Sequence, residues 1–223
     1  MKQTSLVLTL ALAIASTSPI LHAEADIEAG KDKAGACVSC HGDHGNSLVA
    51  NFPKLAQQHA SYLSKQLLAF KSGERKDPMM SALAMGLSEH DIADISAYYA
   101  AQKISANSLP VADDDDDEDD QAAATKGKDV QELIAQGGDL YRNGDLPREV
   151  SACIACHGPT AEGNKPAAFP SLKSQHADYL IKALTDFKTG VRGNTPDNMM
   201  HMIAKKMTAE EIKAVAYRIS VMH

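Results

Sequence analysis

"GACVSCHGDHGNS", residues 35–47, places Cys37, Cys40 and His41 within five positions, and "SACIACHGPTAEGN", residues 151–164, does the same with Cys153, Cys156 and His157. These are all the cysteines of the 223-residue chain. A disulfide across Cys-x-x-Cys closes so small a loop that it constrains an unfolded chain little, so the four are poor structural staples. A redox pair of the thioredoxin kind sits at a strand-to-helix junction in an α/β fold, and no stretch here alternates convincingly as a strand. A structural zinc site needs four ligands, with paired motifs usually about 15–20 residues apart; these pairs lie in separate halves of the chain. The spacing itself fits another chemistry. Two thiols about one helical turn apart can add to the two vinyl groups on one edge of a haem, and the histidine that follows is then held beneath the iron. That is the pattern of c-type haem attachment, and two copies predict two covalently bound haem c groups.

Working outward, the motifs are the peaks of a longer repeat. Phe52-Pro53-Lys54-Leu55 recurs as Phe169-Pro170-Ser171-Leu172, "QHASYL" from Gln58 as "QHADYL" from Gln175, "FKSG" from Phe70 as "FKTG" from Phe187, and Met79-Met80 as Met199-Met200. The offset drifts from 116 at the cysteines to 117 at Phe-Pro and 120 at the methionines, as a duplicated domain with small insertions would give. Such a period is far too long for a solenoid.

Within each half the pattern is helical. "AQQHASYLSKQLLAFKSG" sets Leu63, Leu67 and Phe70 at i, i+4 and i+7, with Gly73 as the stop. "LSEHDIADISAYYAAQ" opens with Ser88 and Asp91 as a capping box, with Ile92, Ile95 and Tyr99 as the buried stripe. Thr208, Glu211, Ile212, Val215 and Ile219 repeat that design. The expected fold is all-α. Its two domains span residues 24–108 and 127–223, joined by an acidic linker over residues 109–126.

The linker contains "DDDDDEDD", Asp113 to Asp120, whose like charges repel one another and bury nothing. It supplies most of the formal net charge of −7. Residues 24–112 carry ten acids and eight bases, residues 121–223 eleven and thirteen, so the halves are near neutral. A nucleic-acid binder needs a basic stripe, and that class is excluded. Residues 1–23 read as a cleavable export signal: Lys2, then the apolar run Leu6–Ala15, then Pro19 and small residues. Cleavage falls after Ala23 or Ala25. The run is too short to span a bilayer, so the mature chain is expected in the periplasm with at most peripheral membrane association.

The partner of each histidine on the far side of the iron is open between adjacent methionines. Methionine is a common partner of histidine in electron-transfer haems. Met79-Met80 and Met199-Met200 lie in stretches rich in helix breakers, "ERKDPMMSA" and "GNTPDNMMHM", which read as loops. The alternative is that they fill core. His59 and His176 stand at equivalent points of the repeat and read as polar residues at helix starts, the alternative being that they make bis-histidine haems. His44, His90, His201 and His223 have no counterpart in the other half and read as surface residues.

The series Cys-x-x-Cys-His-Gly, "NFPKLA", "QHASYL", the methionine segment and "LSEHDIADISAYY", given twice, resembles the cytochrome c4 family over nearly the whole mature chain. Members of that family are dihaem periplasmic cytochromes of two class I cytochrome c domains. The resemblance implies that the axial methionine lies eight residues before the cap of the last helix, hence Met80 and Met200. It also implies that Pro53 and Pro170 offer their carbonyls to the rings of His41 and His157. The acid run departs from the family pattern and bears on docking, not on haem binding. By resemblance the protein is an electron shuttle without catalysis of its own. It would take electrons from a quinol-oxidising bc-type complex, or another donor, to a terminal oxidase. The alternative is an electron-accepting subunit of a periplasmic dehydrogenase, or itself an oxidoreductase of small sulfur anions. A haem sensor of diatomic gases would need an open apolar distal side and an output domain, and no residues are left over for one.

Overall fold

The computed structural model describes residues 25–110 and 129–223; the expected export signal and the acid run lie outside them. Among the described residues there are ten α-helices and no strand, only two isolated bridges, Asp145–Val150 and Asn164–Phe169. The first half holds α1 (Ile27–Lys33), α2 (Val38–His41), α3 (Ala60–Ser72), α4 (Pro78–Met85) and α5 (Glu89–Ala100). The second holds α6 (Val130–Asn143), α7 (Ile154–His157), α8 (Ala177–Thr189), α9 (Met199–Ala204) and α10 (Ala209–Ser220). No helix of the described residues is long and apolar enough to cross a membrane.

Each half is built on one crossing. α1 packs across α5 and α6 across α10. The crossings are backbone on backbone: a Cβ on Gly30 would lie 2.1 Å from the Asp94 carbonyl oxygen, and one on Gly137 would lie 1.9 Å from that of Ala214. α3 and α4, or α8 and α9, complete the wrap. The last helix of each half starts from the expected capping box, Ser88 with Asp91 and Thr208 with Glu211. Asp91 also meets Lys33 Nζ at 2.6 Å. That contact and the Ser88 bonds hold its carboxyl well below the usual range. The stripes face inward as read: Leu63, Phe70, Ile92, Ile95 and Tyr99 in one half, Ile212, Val215 and Ile219 in the other. Gly73 and Gly190, with φ near +79° and +78°, end α3 and α8 in the left-handed region that glycine enters without strain.

The methionine segments differ from the expected loops. Asp77 caps α4 by accepting from Met79 N and Met80 N at 3.1 and 3.0 Å, and Pro78 occupies its first turn. The breakers start a helix here, because a first-turn proline lacks only an N–H that has no partner anyway. In the second half α9 begins after Asp197 and Asn198, both in the left-handed region, and Met200 N reaches Thr195 Oγ1 at 3.3 Å.

The halves meet through contacts in which equivalent residues pair reciprocally. Arg75 donates to Tyr179 Oη at 3.3 Å and Arg192 to Tyr62 Oη at 2.8 Å. Each guanidinium lies 4.5 Å over the phenyl ring of its own half, Phe70 or Phe187. Gln66 Oε1 accepts from Arg75, Arg192 and Asn194.

Candidate haem sites

The first motif straddles a 3-10 turn, Ala34–Cys37, and the single turn α2. Cys37 and Cys40 are three residues apart and therefore share a helix face, both as free thiols. His41 follows at 6% exposure, and the second motif delivers His157 at 8%. Gly42 and Gly158 then reverse the chain at φ +74° and +79°. Ser47 Oγ donates to the Cys40 carbonyl at 3.1 Å, and Tyr141 Oη to that of Gly158 at 2.6 Å, which fixes each turn.

The proline segments are tied to the loops that follow the motifs. Leu55 N donates to Gly45 O at 2.8 Å, and Leu172 N to Ala161 O at 2.7 Å. This places Pro53 O 2.9 Å from His41 Nδ1 and Pro170 O 3.0 Å from His157 Nδ1. A carbonyl can only accept, so each Nδ1 carries the proton and each Nε2 keeps a free lone pair. Burial pushes both imidazoles to lower pKa, against the opposing pull of the carbonyl bond. Neutral, oriented rings of this kind are ready metal donors.

In the first half a cavity of about 870 Å³ lies over His41. Cys37, Cys40, Leu63, Phe70, Met80 and Ile95 are among its walls, and it reaches Arg75, Tyr179 and Arg192 at the interface. A mostly apolar wall with two guanidiniums in it suits an amphiphile, a flat macrocycle carrying carboxylates. The Tyr99 hydroxyl is buried on this wall without a hydrogen-bond partner and lies near the Cys37 thiol. An orphaned polar atom there fits a space that holds a ligand. Burial pushes the Cys37 thiol up and that of Cys153 up to about 11. Among the described residues no three His, Cys, Asp or Glu side chains converge as they would around a bare metal ion. The residues fit haem.

Met79 is 54% exposed, whereas Met80 is half-buried; both touch the cavity. Met199 and Met200 are both half-buried. His59 and His176 are the capping residues of α3 and α8. His176 Nε2 is 2.9 Å from the Ser47 carbonyl of the other half. All four unmatched histidines have partners: His44 Nδ1 is 3.2 Å from Tyr98 Oη, His90 Nε2 3.6 Å from Asp94 Oδ2, His201 Nδ1 2.7 Å from Phe187 O, and His223 Nδ1 3.1 Å from Ser174 Oγ. Sequence reasoning missed the interface set Gln58, Gln66, Arg75, Gln175 and Arg192. The only trace of it in the sequence is that the polar residues of "QHASYL" recur in "QHADYL".

Comparison with known proteins places these features in one family. The cytochrome c family model matches residues 27–103 and again 134–219. Cytochrome c4 of Azotobacter vinelandii is 39% identical over 225 residues, covering 96% of this chain and 97% of that protein. The crystal structure of reduced recombinant cytochrome c4 from Pseudomonas stutzeri superposes with a TM-score of 0.78 at 36% identity, over 89% of this chain and 100% of that one. A "thiosulfate dehydrogenase electron acceptor" of Stutzerimonas stutzeri (strain A1501) is 35% identical over 184 residues, covering 82% of this chain and 77% of its own length. The chain belongs to the cytochrome c4 family, as an electron-transfer cytochrome of two all-α cytochrome c domains with two covalently bound haem c groups.

Proposed function

We propose that the protein is a periplasmic shuttle that carries electrons from a bc-type complex or another donor to a terminal oxidase and turns over no substrate itself. Cys37 and Cys40 tether one haem, Cys153 and Cys156 the other. His41 and His157 are the proximal ligands, and Met80 and Met200 the distal ones. Bound haem supplies a one-electron iron couple. The protein's part is to hold a neutral, oriented imidazole on one side, place a thioether that favours Fe(II) on the other, and exclude water with apolar walls. Residues 1–23 are the export signal, and the two domains occupy residues 24–108 and 127–223.

The observation that carries this reading is the duplication of the whole donor set, each histidine with its proline carbonyl at 2.9 or 3.0 Å and each half with its methionine helix. Chemistry at iron needs an open coordination position, and a chain that keeps every donor twice leaves none. The thiosulfate-dehydrogenase acceptor among its relatives favours one second reading, delivery from a periplasmic dehydrogenase. That reading changes the donor and leaves the haem chemistry as it is. Visible spectra of the oxidised and reduced holo-protein, with and without carbon monoxide, test the proposal. Two six-coordinate haems that do not take up carbon monoxide at neutral pH are expected. Rapid uptake by one haem of the native protein, with turnover of thiosulfate or peroxide, would sink it.

A further inference from the structure

The peptide group between Pro53 and Lys54 is bonded at both ends. Its carbonyl accepts from His41 Nδ1, and its N–H, on Lys54, donates to Gln175 Oε1 at 2.9 Å. Gln175 belongs to the other half. Its Nε2 returns to Lys54 O at 2.9 Å, so one carboxamide engages both backbone groups of Lys54. The second site repeats this in reverse. The Pro170 carbonyl accepts from His157 Nδ1, Ser171 N donates to Gln58 Oε1 at 3.0 Å, and Gln58 Nε2 donates to Ser171 O at 2.8 Å. Each Oε1 also receives the N–H of its chain neighbour, His59 at 2.9 Å or His176 at 3.0 Å. Two converging N–H donors identify that atom as the oxygen and lock the side chain. Lys54, Gln58 and Gln175 are only 4%, 7% and 5% exposed, so water does not compete.

A hydrogen bond donated by a peptide N–H moves electron density onto the carbonyl oxygen of the same group. Bonds linked in this way strengthen one another by ~10–30% each. A stronger acceptor makes the histidine behind it more basic, and a more basic ligand favours Fe(III) and lowers the potential. We infer that Gln58 and Gln175 are cross-domain positioning residues, each setting the donor strength of the histidine in the opposite half through a single peptide group. This rests on His41 and His157 being the proximal ligands, as proposed above. An inert adhesive between domains would use the same contacts, but its loss would have no reason to act crosswise.

The test uses full-length holo-protein. Gln175→Met keeps the length of the side chain and removes the acceptor. The potential of the first-half haem should rise while that of the second stays, and Gln58→Met should do the reverse. Gln175→Glu keeps an oxygen on the Lys54 N–H in either protonation state, so the first-half potential should stay or fall. Potentials are followed spectroelectrochemically, with each haem assigned by its paramagnetically shifted methyl resonances. In the reduced protein the His41 ring N–H resonance should move upfield in Gln175→Met, as a weakened bond requires. The inference is overturned if Gln175→Met shifts both haems alike, shifts only the second-half haem, or moves neither potential nor the ring resonance. Should the methionine variant not assemble, a rise of the first-half potential in Gln175→Glu overturns it equally. Failure of the ligand assignment itself would show instead in the spectrum of the unmodified chain.

Discussion

Met79 and Met80 are adjacent, and both amides are held by the same Asp77 carboxylate. Their side chains differ in surroundings, since Met79 is 54% exposed and Met80 half-buried. A thioether on iron must leave water, so the exposure favours Met80. Met80→Ala should lower the potential of the first haem, because the lost thioether had favoured Fe(II). It should also open that haem to carbon monoxide. Met79→Ala should change both far less. Potentiometric titration with a carbon monoxide spectrum checks the pair, and the reverse ranking would transfer the ligand role to Met79. In the second half Met199 and Met200 are equally half-buried. There the choice of Met200 rests on its place in the repeat. The histidines and cysteines were legible because their chemistry depends on spacing within five residues. The glutamines recur in the repeat, but their role was not legible, because a carboxamide that reads a backbone 121 residues away, as Gln175 does at Lys54, has no local signature of that contact.

At the scale of elements, the capped helices α5 and α10 were legible, and the helices that cross them, α1 and α6, were not. Ser88 with Asp91 and Thr208 with Glu211 announce α5 and α10 through side chains that bond their own backbone. α6 contains Gly137-Gly138, a poor helical sequence by propensity. The glycine serves the crossing, where α6 lies so close on α10 that a Cβ at 137 would meet the Ala214 carbonyl oxygen at 1.9 Å. The same physics hid the methionine helices, since Asp-Pro read as a breaker pair serves in α4 as cap and first turn. Gly137→Ala should therefore destabilise the second domain by about 2 kcal/mol or more, the usual range for overpacking, despite alanine's better helix propensity. Gly30→Ala, whose Cβ would sit 2.1 Å from Asp94 O, should do the same to the first. Gly35→Ala is the control, because a Cβ there meets nothing within 4 Å. Thermal unfolding of the three holo-variants decides it. Equal melting of Gly35→Ala and Gly137→Ala would show that the crossing yields without cost.

At the scale of the molecule, the connection between the halves is fastened before the acid run begins. Lys54 Nζ donates to the Ser105 carbonyl at 2.8 Å and to Asn107 Oδ1 at 2.6 Å. Asn107 Nδ2 in turn donates to the carbonyls of Ser174, Gln175 and Ser220 at 2.9, 3.1 and 3.1 Å. The link thus joins the first domain to the second by residue 107, beside the Lys54–Gln175 pair. Asp113 to Asp120 lie beyond it in the sequence, outside the described residues. Their effect should be on encounter. Exposed carboxylates act on a charged partner over roughly a Debye length, about 10 Å at 0.1 M ionic strength, and salt removes the effect. Replacing these eight acids by Asn and Gln should slow electron transfer with a lysine-rich redox partner at low salt. It should also flatten the dependence of that rate on ionic strength, so that the two proteins converge at high salt. Both haem spectra and both potentials should stay as they were, because the bonds at Lys54, Asn107, Gln58 and Gln175 do not involve the run. Stopped-flow rates across a salt series, taken with a redox titration of each protein, read both halves of this expectation. An unchanged salt dependence would remove the run from partner steering. A shift in either potential would place its charge beside a haem and make it part of the interface.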